Sequence, residues 1–285
     1  MTELKCARCG VLTTGITQIC NVCDIELNPI RPSSAAPPVF VPYARDTHGT
    51  TIRPFNGISD VLEPTIVLFV KHFWLIAKIT IVIVAPFEIF RALRFADIEY
   101  DWQLSLGLFF LDLMCVVVTA PALVYALMHV MQTGVAPGIN ESYRWGFSKL
   151  VKLTVAAVIS WILMGLGTML CVIPGIIIAI ALSLVFPIAI LEKGSPFDVY
   201  KGSFELTKGH RWKIFGATLV TILLMGIFSV PAEVAGEYLA SRNPGFWPLN
   251  AAGAIFAAIL QQSTLVLSLV TYLSIRALWS QSTQG

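Results

Sequence analysis

Residues 171–215 read CVIPGIIIAIALSLVFPIAILEKGSPFDVYKGSFELTKGHRWKIF. The part from Cys171 to Leu191 is apolar and long enough to cross the roughly 30 Å hydrocarbon core of a bilayer as a helix. The part that follows is polar and charged, and it ends where another apolar run begins. This order predicts a membrane-spanning helix, a segment at the membrane surface and a second spanning helix.

Apolar runs of the same kind fill most of the chain. Of its 285 residues, 56% are hydrophobic and 13% are charged, which is about half the charged share of a typical soluble domain. The mean hydropathy is +0.77. We predict an all-α, multi-pass membrane protein with six transmembrane helices, at residues 72–92, 104–130, 151–171, 173–191, 213–235 and 249–278.

Lysine and arginine are concentrated in alternate loops of this prediction. They precede the first helix, lie between helices two and three, and lie between helices four and five. The intervening loops hold only Arg91, Arg94 and Arg242. Because loops rich in Lys and Arg stay on the cytoplasmic side, the sequence predicts that both termini are cytoplasmic.

Four of the six cysteines form two CxxC pairs, Cys6 with Cys9 and Cys20 with Cys23. Four thiolates at this spacing can close a tetrahedron around Zn²⁺, which is typical of a structural site. Disulfides and a redox dithiol are the alternatives. A reducing cytoplasm disfavours the first, and no thioredoxin-like pattern surrounds the cysteines. We predict a zinc ribbon over residues 1–28, with structural Zn²⁺ as cofactor and a β-hairpin that turns at Thr13–Gly15.

A proline-rich segment, residues 29–56, follows this head. Its composition predicts an extended, flexible linker rather than a packed domain. The head is too small to bury a core, so the metal must supply most of its folding free energy, about 10 kcal/mol. A small head on a linker suits recruitment of a protein partner.

Residues 57–280 are predicted to form the transmembrane domain, built from three two-helix repeats at 57–131, 138–192 and 194–278. A shift of 138 residues superposes Asp60 on Asp198, and a shift of 57 superposes Tyr143 on Tyr200. Two such alignments on one segment favour a threefold internal repeat. The shift of 138 also superposes two residues of "VKHFWLIAK" (70–78), His72 and Trp74, on His210 and Trp212 of "TKGHRWKIFG" (207–216).

Short segments with helical periodicity precede the predicted pairs of spans. Tyr143 and Phe147 share one face of the first, and Phe197, Tyr200 and Phe204 share one face of the second. We predict amphipathic helices in the membrane interface, with these faces toward lipid and the charged faces toward headgroups. Interfacial anchors are predicted where such a helix meets a span, at His72, Trp74, His210, Arg211 and Trp212.

The segment quoted first resembles the YciC-like family of bacterial inner-membrane proteins and the related membrane domain of some glycerophosphodiester phosphodiesterases. The resemblance lies in Ile173–Gly175, in Pro187 and Glu192, and in Ser203, Leu206 and Gly209–Trp212. It implies a six-helix bundle in the bacterial cytoplasmic membrane and brings no known activity. The phosphodiesterase chemistry belongs to a separate barrel domain that these 285 residues do not contain.

Four polar residues within the predicted spans are candidates for an intramembrane site. Asp112 lies inside span two, and Lys78 in span one is a candidate partner for it. This pair suggests a proton or ion relay, or a paired structural residue, which we favour. Gln261 and Gln262 in span six suggest a lining of a solute path or hydrogen bonds between helices, and we favour the second.

The sequence predicts no catalytic activity. It contains no HExxH pair and no Gly-x-Ser-x-Gly elbow. Its basic segments run directly into lipid-soluble sequence, which excludes nucleic acid and makes the bilayer the expected partner. Two functions are left: a scaffold or accessory subunit that recruits a protein through the zinc head, and a transporter or channel for a small solute or lipid. The separate head favours the first.

Overall fold

The computed structural model describes residues 3–5, 12–14, 52, 54–94, 102–170, 172–192 and 195–282. The chain forms two compact units, Met1–Val39 and Phe40–Gly285. The second unit contains ten α-helices in its described part: α1 Ser59–Lys71, α2 Phe73–Arg94, α3 Trp102–Thr133, α4 Ile139–Phe147, α5 Leu150–Leu170, α6 Val172–Leu182, α7 Val185–Leu191, α8 Pro196–Thr207, α9 Arg211–Arg242 and α10 Trp247–Ser282.

Six stretches of helix are long and apolar enough to cross a membrane: Phe73–Leu93, Phe110–Thr133, Leu150–Met169, Ile173–Leu191, Arg211–Arg242 and Trp247–Leu278. The prediction of six such helices is confirmed, with boundaries within a few residues at most ends. Successive spans run in opposite directions, so their ends gather at two ends of the bundle. We call these the basic end, which includes Lys71 and Lys208, and the acidic end, which includes Glu88 and Glu237.

Spans three and four lie side by side, as the short uncharged turn between them predicts. Only residue 171 separates α5 from α6. A Cβ atom on Gly175 would lie 2.8 Å from Cγ2 and 3.2 Å from Cα of Thr168, and one on Gly167 would lie 3.2 Å from Cα of Gly175. Glycine therefore allows the two backbones to approach where a larger residue would hold them apart.

A short helix precedes each pair of spans, but it packs on a different pair. Helix α4 packs on α3, and the hydroxyl of Tyr143 donates to the carbonyl of Ile79 in α2. Helix α8 packs on α6 and α7, and Tyr200 donates to the carbonyl of Ala156 in α5. Helix α1 packs on α9 and α10. Each short helix thus lies on the preceding pair, and α1, which has none before it, lies on the last.

The predicted lipid-facing side of these short helices needs correction at the tyrosines. Tyr143 and Tyr200 are 8% and 9% exposed because both insert between spans. Phe147, Phe197 and Phe204 are more exposed than these two tyrosines. A buried tyrosine needs a partner for its hydroxyl, and the span carbonyls supply one.

Carboxylates fix the beginnings of α1 and α8 in the same way. The Asp60 carboxylate accepts from the amides of Asn56 and Gly57, at 3.1 and 2.7 Å. The Asp198 carboxylate accepts from the amide of Ser195 at 2.9 Å, while the Ser195 hydroxyl accepts from the amide of Asp198. The second arrangement is a capping box, and its hydrogen bonds from Ser195 hold the pKa of Asp198 below its usual value.

The hydrophobic core lies nearer the basic end. Its fully buried side chains include Leu123, Leu127 and Met131 of α3, Ile188 of α7 and Leu269 of α10. Toward the acidic end α9 has little cover: Ile222, Leu223, Ile227 and Phe228 are each more than half exposed. The spans are therefore packed together more closely at the basic end than at the acidic end.

The first unit contains one described antiparallel pair of strands, β1 Glu3–Lys5 and β2 Leu12–Thr14. Glu3 pairs with Thr14 and Lys5 pairs with Leu12. The predicted turn at Thr13–Gly15 is wrong, because Thr13 and Thr14 belong to a strand.

Candidate functional site

Span four is a broken helix, and Pro187 explains where it breaks. Helix α6 ends at Leu182 and α7 begins at Val185. Proline has no amide proton for the carbonyl four residues earlier, and its ring clashes with that carbonyl. The residue four positions before Pro187 is Ser183, which lies in the break. Within the described spans, Pro86, Pro121 and Pro231 lie inside continuous helices.

Helix α8 compensates for the hydrogen bonds lost at the break. The hydroxyl of Ser203 is fully buried and donates to the carbonyl of Ala181 over 2.6 Å. One turn earlier, the hydroxyls of Tyr200 and Ser160 are 3.1 Å apart. Burial raises the pKa of Tyr200, so this hydroxyl stays protonated. These contacts hold α8 against spans three and four.

A cavity of about 270 Å³ lies beside the break, between α3, α9, α10 and the α6–α7 junction. Its polar lining consists of Ser183, Thr218, Gln261, Gln262, Thr264, Ser268 and Thr271. Gln262 lies at the midpoint of the 32-residue span Trp247–Leu278, so the cavity is near the middle of that helix. Polar groups at this depth need a partner or water, since lipid supplies none.

The two glutamines line this cavity rather than join helices. Gln262 donates to the carbonyl of Ala258 in its own helix, over 3.4 Å. Gln261 is exposed, and its backbone carbonyl accepts from Thr264. The favoured interpretation of the sequence, hydrogen bonds from these glutamines between helices, finds no support among the described contacts. The alternative, a polar lining, matches their position.

Asp112 pairs with Arg91, not with Lys78. The carboxylate of Asp112 lies 3.6 Å from the guanidinium of Arg91, which also lies 3.5 Å from the carboxylate of Glu88. Lys78 is exposed near the opposite end of α2, about 20 Å away along the helix axis. Asp112 belongs to the acidic end, only two residues inside the span Phe110–Thr133, so the expected pair of Asp112 with Lys78 is wrong.

A second cavity, of about 620 Å³, lies at the acidic end. Its lining includes Glu88, Arg91, Glu233, Glu237 and Asn250. Sequence reasoning missed Glu88 and Glu233. Each follows a proline by two residues near the end of an apolar run, and that position is the signal that would have identified them.

The basic end carries a polar cluster around Glu192 that the sequence did not reveal. Its carboxylate accepts from the hydroxyl of Tyr272 over 2.7 Å and from the guanidinium of Arg276. Its backbone carbonyl accepts from the ammonium group of Lys152 over 2.9 Å. Spans three, four and six are thereby joined. Tyr272 and Arg276 are one helical turn apart, and this spacing places two side chains on the same face of a helix, where both can bind one partner.

The predicted anchor residues lie at the junctions between short helices and spans. Trp74 and Trp212 are 75% and 80% exposed. His72 caps the end of α1, and Arg211 begins α9. His210 is half-buried with its ring centroid 5.3 Å from that of Phe55, and burial lowers its pKa. The tryptophans are thus placed for contact with a bilayer, whereas His210 packs against protein.

The predicted zinc ligands Cys6, Cys9, Cys20 and Cys23 lie outside the described residues. Within the described part, no three His, Cys, Asp or Glu side chains are grouped as metal ligands, and Cys115 is a buried free thiol. The zinc site therefore stays a prediction from spacing.

Comparisons of the chain with models of protein families, with curated proteins and with solved structures gave no match. The resemblance described above therefore stays a prediction from the residues that carry it.

Proposed function

We propose that the membrane domain is a transporter or channel for a small solute, whose path passes through the cavity at the break in span four. The observation that carries the proposal is a polar cavity at mid-membrane depth beside an interrupted helix. Broken helices and deep polar residues in membrane proteins commonly mark a binding site, because irregular backbone is tolerated there only where protein or water satisfies it. Because of this cavity, we propose transport ahead of the scaffold role that the sequence favoured.

Helical register supports a path between the two cavities. Ala254 lines the cavity at the acidic end and Gln261 lines the central one. The two residues are seven positions apart in α10, so they share one face of that helix. On α3, Asp112 is one turn from Val116, which lines the central cavity. The same faces of two helices thus run from the acidic end toward the middle of the membrane.

The cluster around Glu192 supports closure of this path at the basic end. Thr271 lines the central cavity, and its neighbour Tyr272 is bonded to Glu192. Arg276 and Lys152 belong to the same cluster, so spans three, four and six are joined between the cavity and the basic end. We propose that this arrangement corresponds to a state open toward the acidic end.

Flux through the purified protein in liposomes tests the proposal. We expect entry of at least one solute from a panel of acetamide, glycerol, acetate and guanidinium, and we expect Gln261→Leu to reduce it at least tenfold. Thr221→Val is the matched control, because the described hydrogen bond of the Thr221 hydroxyl goes to Ala217 in its own helix and Thr221 does not line the cavity. Equal flux through Gln261→Leu, or none above protein-free liposomes, would contradict transport by this path.

A second function, recruitment of a protein partner by a zinc-bound head, is favoured by the strand pair of the first unit. Strands β1 and β2 flank Cys6 and Cys9, which is where a zinc ribbon places its first pair of ligands. We propose Zn²⁺ at Cys6, Cys9, Cys20 and Cys23, in a cytoplasmic head. The head and the short helices α1, α4 and α8 at the bundle's basic end would then face the cytoplasm in a bacterial inner membrane.

Metal analysis of the full-length protein tests the head. We expect one zinc ion per chain, lost in Cys20→Ser and retained in Cys115→Ser, since Cys115 is a buried packing residue of α3. Affinity capture from solubilised membranes should then recover a partner with the wild-type protein and lose it with Cys20→Ser. Equal recovery by both proteins would exclude recruitment through the metal-bound head.

A further inference from the structure

We propose that the cavity at the break in span four binds uncharged solutes that both donate and accept hydrogen bonds. Only the consequence for flux rests on the proposed function, because the cavity can select a ligand whether or not it conducts one. Three features of the cavity carry the inference, namely the charge of its lining, its hydrogen-bonding groups and its volume.

The described lining contains no ionisable side chain. Its polar members are two glutamines, two serines and three threonines, and the remaining half is apolar. An ion taken from water into such a place loses hydration that only an opposite charge or many dipoles could replace. Charged groups lie instead at the two ends of the bundle, in the clusters around Arg91 and Glu192. The centre therefore disfavours ions of either sign.

The lining offers both donors and acceptors that are not used within the described protein. The hydroxyl of Ser183 is buried without a partner. The hydroxyls of Thr264 and Ser268 donate to carbonyls of their own helix, which leaves their oxygens as acceptors. Gln262 makes one long bond to Ala258, and its amide oxygen has no described partner. A carboxamide or a polyol can bind to such a lining, because each carries both hydrogen-bond donors and acceptors.

The volume of the cavity leaves room for a small organic solute. A cavity of about 270 Å³ is many times larger than the roughly 10–15 Å³ that a single water molecule requires. It has room for a small solute such as acetamide or glycerol. The apolar half of the lining can cover the carbon atoms while the glutamines and Ser183 bind the polar groups.

Cysteine labelling in the full-length protein tests the charge selectivity directly. Ser183→Cys places a thiol of nearly the same shape in the cavity, and Thr218→Cys places a second one in case the first variant does not fold. Three methanethiolsulfonates of similar length are compared: the neutral hydroxyethyl reagent, the anionic sulfonatoethyl reagent and the cationic trimethylammonioethyl reagent. Peptide-resolved mass spectrometry separates this thiol from the native cysteines.

We expect the neutral reagent to label Ser183→Cys or Thr218→Cys at least tenfold faster than either charged reagent. Leu223→Cys is the control for a thiol in lipid, since Leu223 is 59% exposed on α9 and does not line the cavity. It should react slowly with all three, because the reactive thiolate needs a polar environment. Comparable rates for charged and neutral reagents, labelling of Leu223→Cys as fast as the cavity thiols, or no labelling of either cavity thiol would overturn the proposal.

Flux separates this inference from the proposed function. Acetamide and acetate have nearly the same size and differ in charge, so we expect acetamide to enter proteoliposomes at least tenfold faster through the protein. Thr218→Val should reduce that entry and Thr221→Val should not. Charge-selective labelling without any flux would refute transport and leave the binding site intact, whereas faster entry of acetate would refute the selectivity and leave transport intact.

Discussion

Pro187 and Ser203 show how single residues both create and stabilise the irregular part of span four. Pro187 removes one helical hydrogen bond, and the chain leaves the helix at Ser183 and Leu184. Ser203 reaches in from α8 and donates to Ala181. A buried carbonyl without a partner is costly in a membrane, so the serine makes the break tolerable. The stability of the cavity wall at the break in span four therefore depends on the Ser203 side chain and not on Pro187 alone.

We expect Ser203→Ala to lower the free energy of unfolding by about 1–3 kcal/mol, because it leaves the Ala181 carbonyl without its described partner. Unfolding in detergent, followed by heat or denaturant, measures the loss. Ser142→Ala is the matched control: Ser142 is equally buried, but its hydroxyl bonds to Gly138 in the adjoining turn. The interpretation fails if both variants lose the same stability.

His210 gives the bundle a predictable dependence on pH. Its pKa is lowered by burial and by nearby Lys213, while in the unfolded chain it is about 6.5. Below that value the unfolded chain binds a proton that the folded protein resists, so stability is present above pH 6.5 and declines as the pH falls through it. Thermal unfolding between pH 5.5 and 7.5 should show this decline, and His210→Gln should reduce it. An unchanged pH profile in the variant would rule out His210 as its source.

At the scale of helices, the spacing between α5 and α6 depends on glycine. Thr168 and Gly175 face each other across the tip of the hairpin, and Thr168 leaves no room for a Cβ atom on Gly175. The position of span four relative to span three, and hence the position of the break, depends on this approach. Gly175, at the acidic end, therefore influences the cavity at the break in span four, about two helical turns away.

We expect Gly175→Ala to destabilise the protein by about 1–3 kcal/mol, the usual cost of overpacking. Gly165→Ala is the control, since nothing lies within 4 Å of its added Cβ atom and alanine is the better helix former by about 1 kcal/mol. It should leave stability unchanged or raise it. Both variants are compared by thermal unfolding in the same detergent, and a loss in Gly165→Ala as large as in Gly175→Ala would contradict the packing argument.

Within the second unit, the short helices are arranged so that the first helix group packs on the last. Each short helix packs on the pair of spans before it, and α1 packs on α9 and α10. Near this junction the ammonium group of Lys213 donates to the carbonyl of Asn56 over 2.8 Å. The three helix groups are thereby linked in a ring rather than in a row, which is compatible with the predicted threefold repeat.

The predicted orientation of the whole molecule can be tested with two exposed positions, Lys201 at the basic end and Arg242 at the acidic end. In a background with Cys171→Ser, a membrane-impermeant maleimide applied to intact cells should label Arg242→Cys and not Lys201→Cys. The physical reason is retention of Lys and Arg in the cytoplasm. Permeabilised cells provide the control, where both should react. Labelling of Lys201→Cys in intact cells would reverse the orientation.

The sequence by itself determined the class of protein, the number of spans and most of their limits, because the length and apolarity needed to cross a bilayer are local properties of the chain. It also located the close turn between α5 and α6, which depends on neighbouring residues. It identified Gln261 and Gln262 as deep polar residues, but the hydrogen bonds between helices that it favoured for them are not among the described contacts.

Only the tertiary structure decided what those polar residues contact. Asp112 pairs with Arg91 across two helices, and Ser203 supports a break caused by a proline 16 positions earlier. Such pairings depend on the rotation and depth of each helix, which lipid-soluble runs leave undetermined because many arrangements bury similar apolar surface. The cavity, its uncharged lining and the ring of short helices exist only once those rotations are fixed.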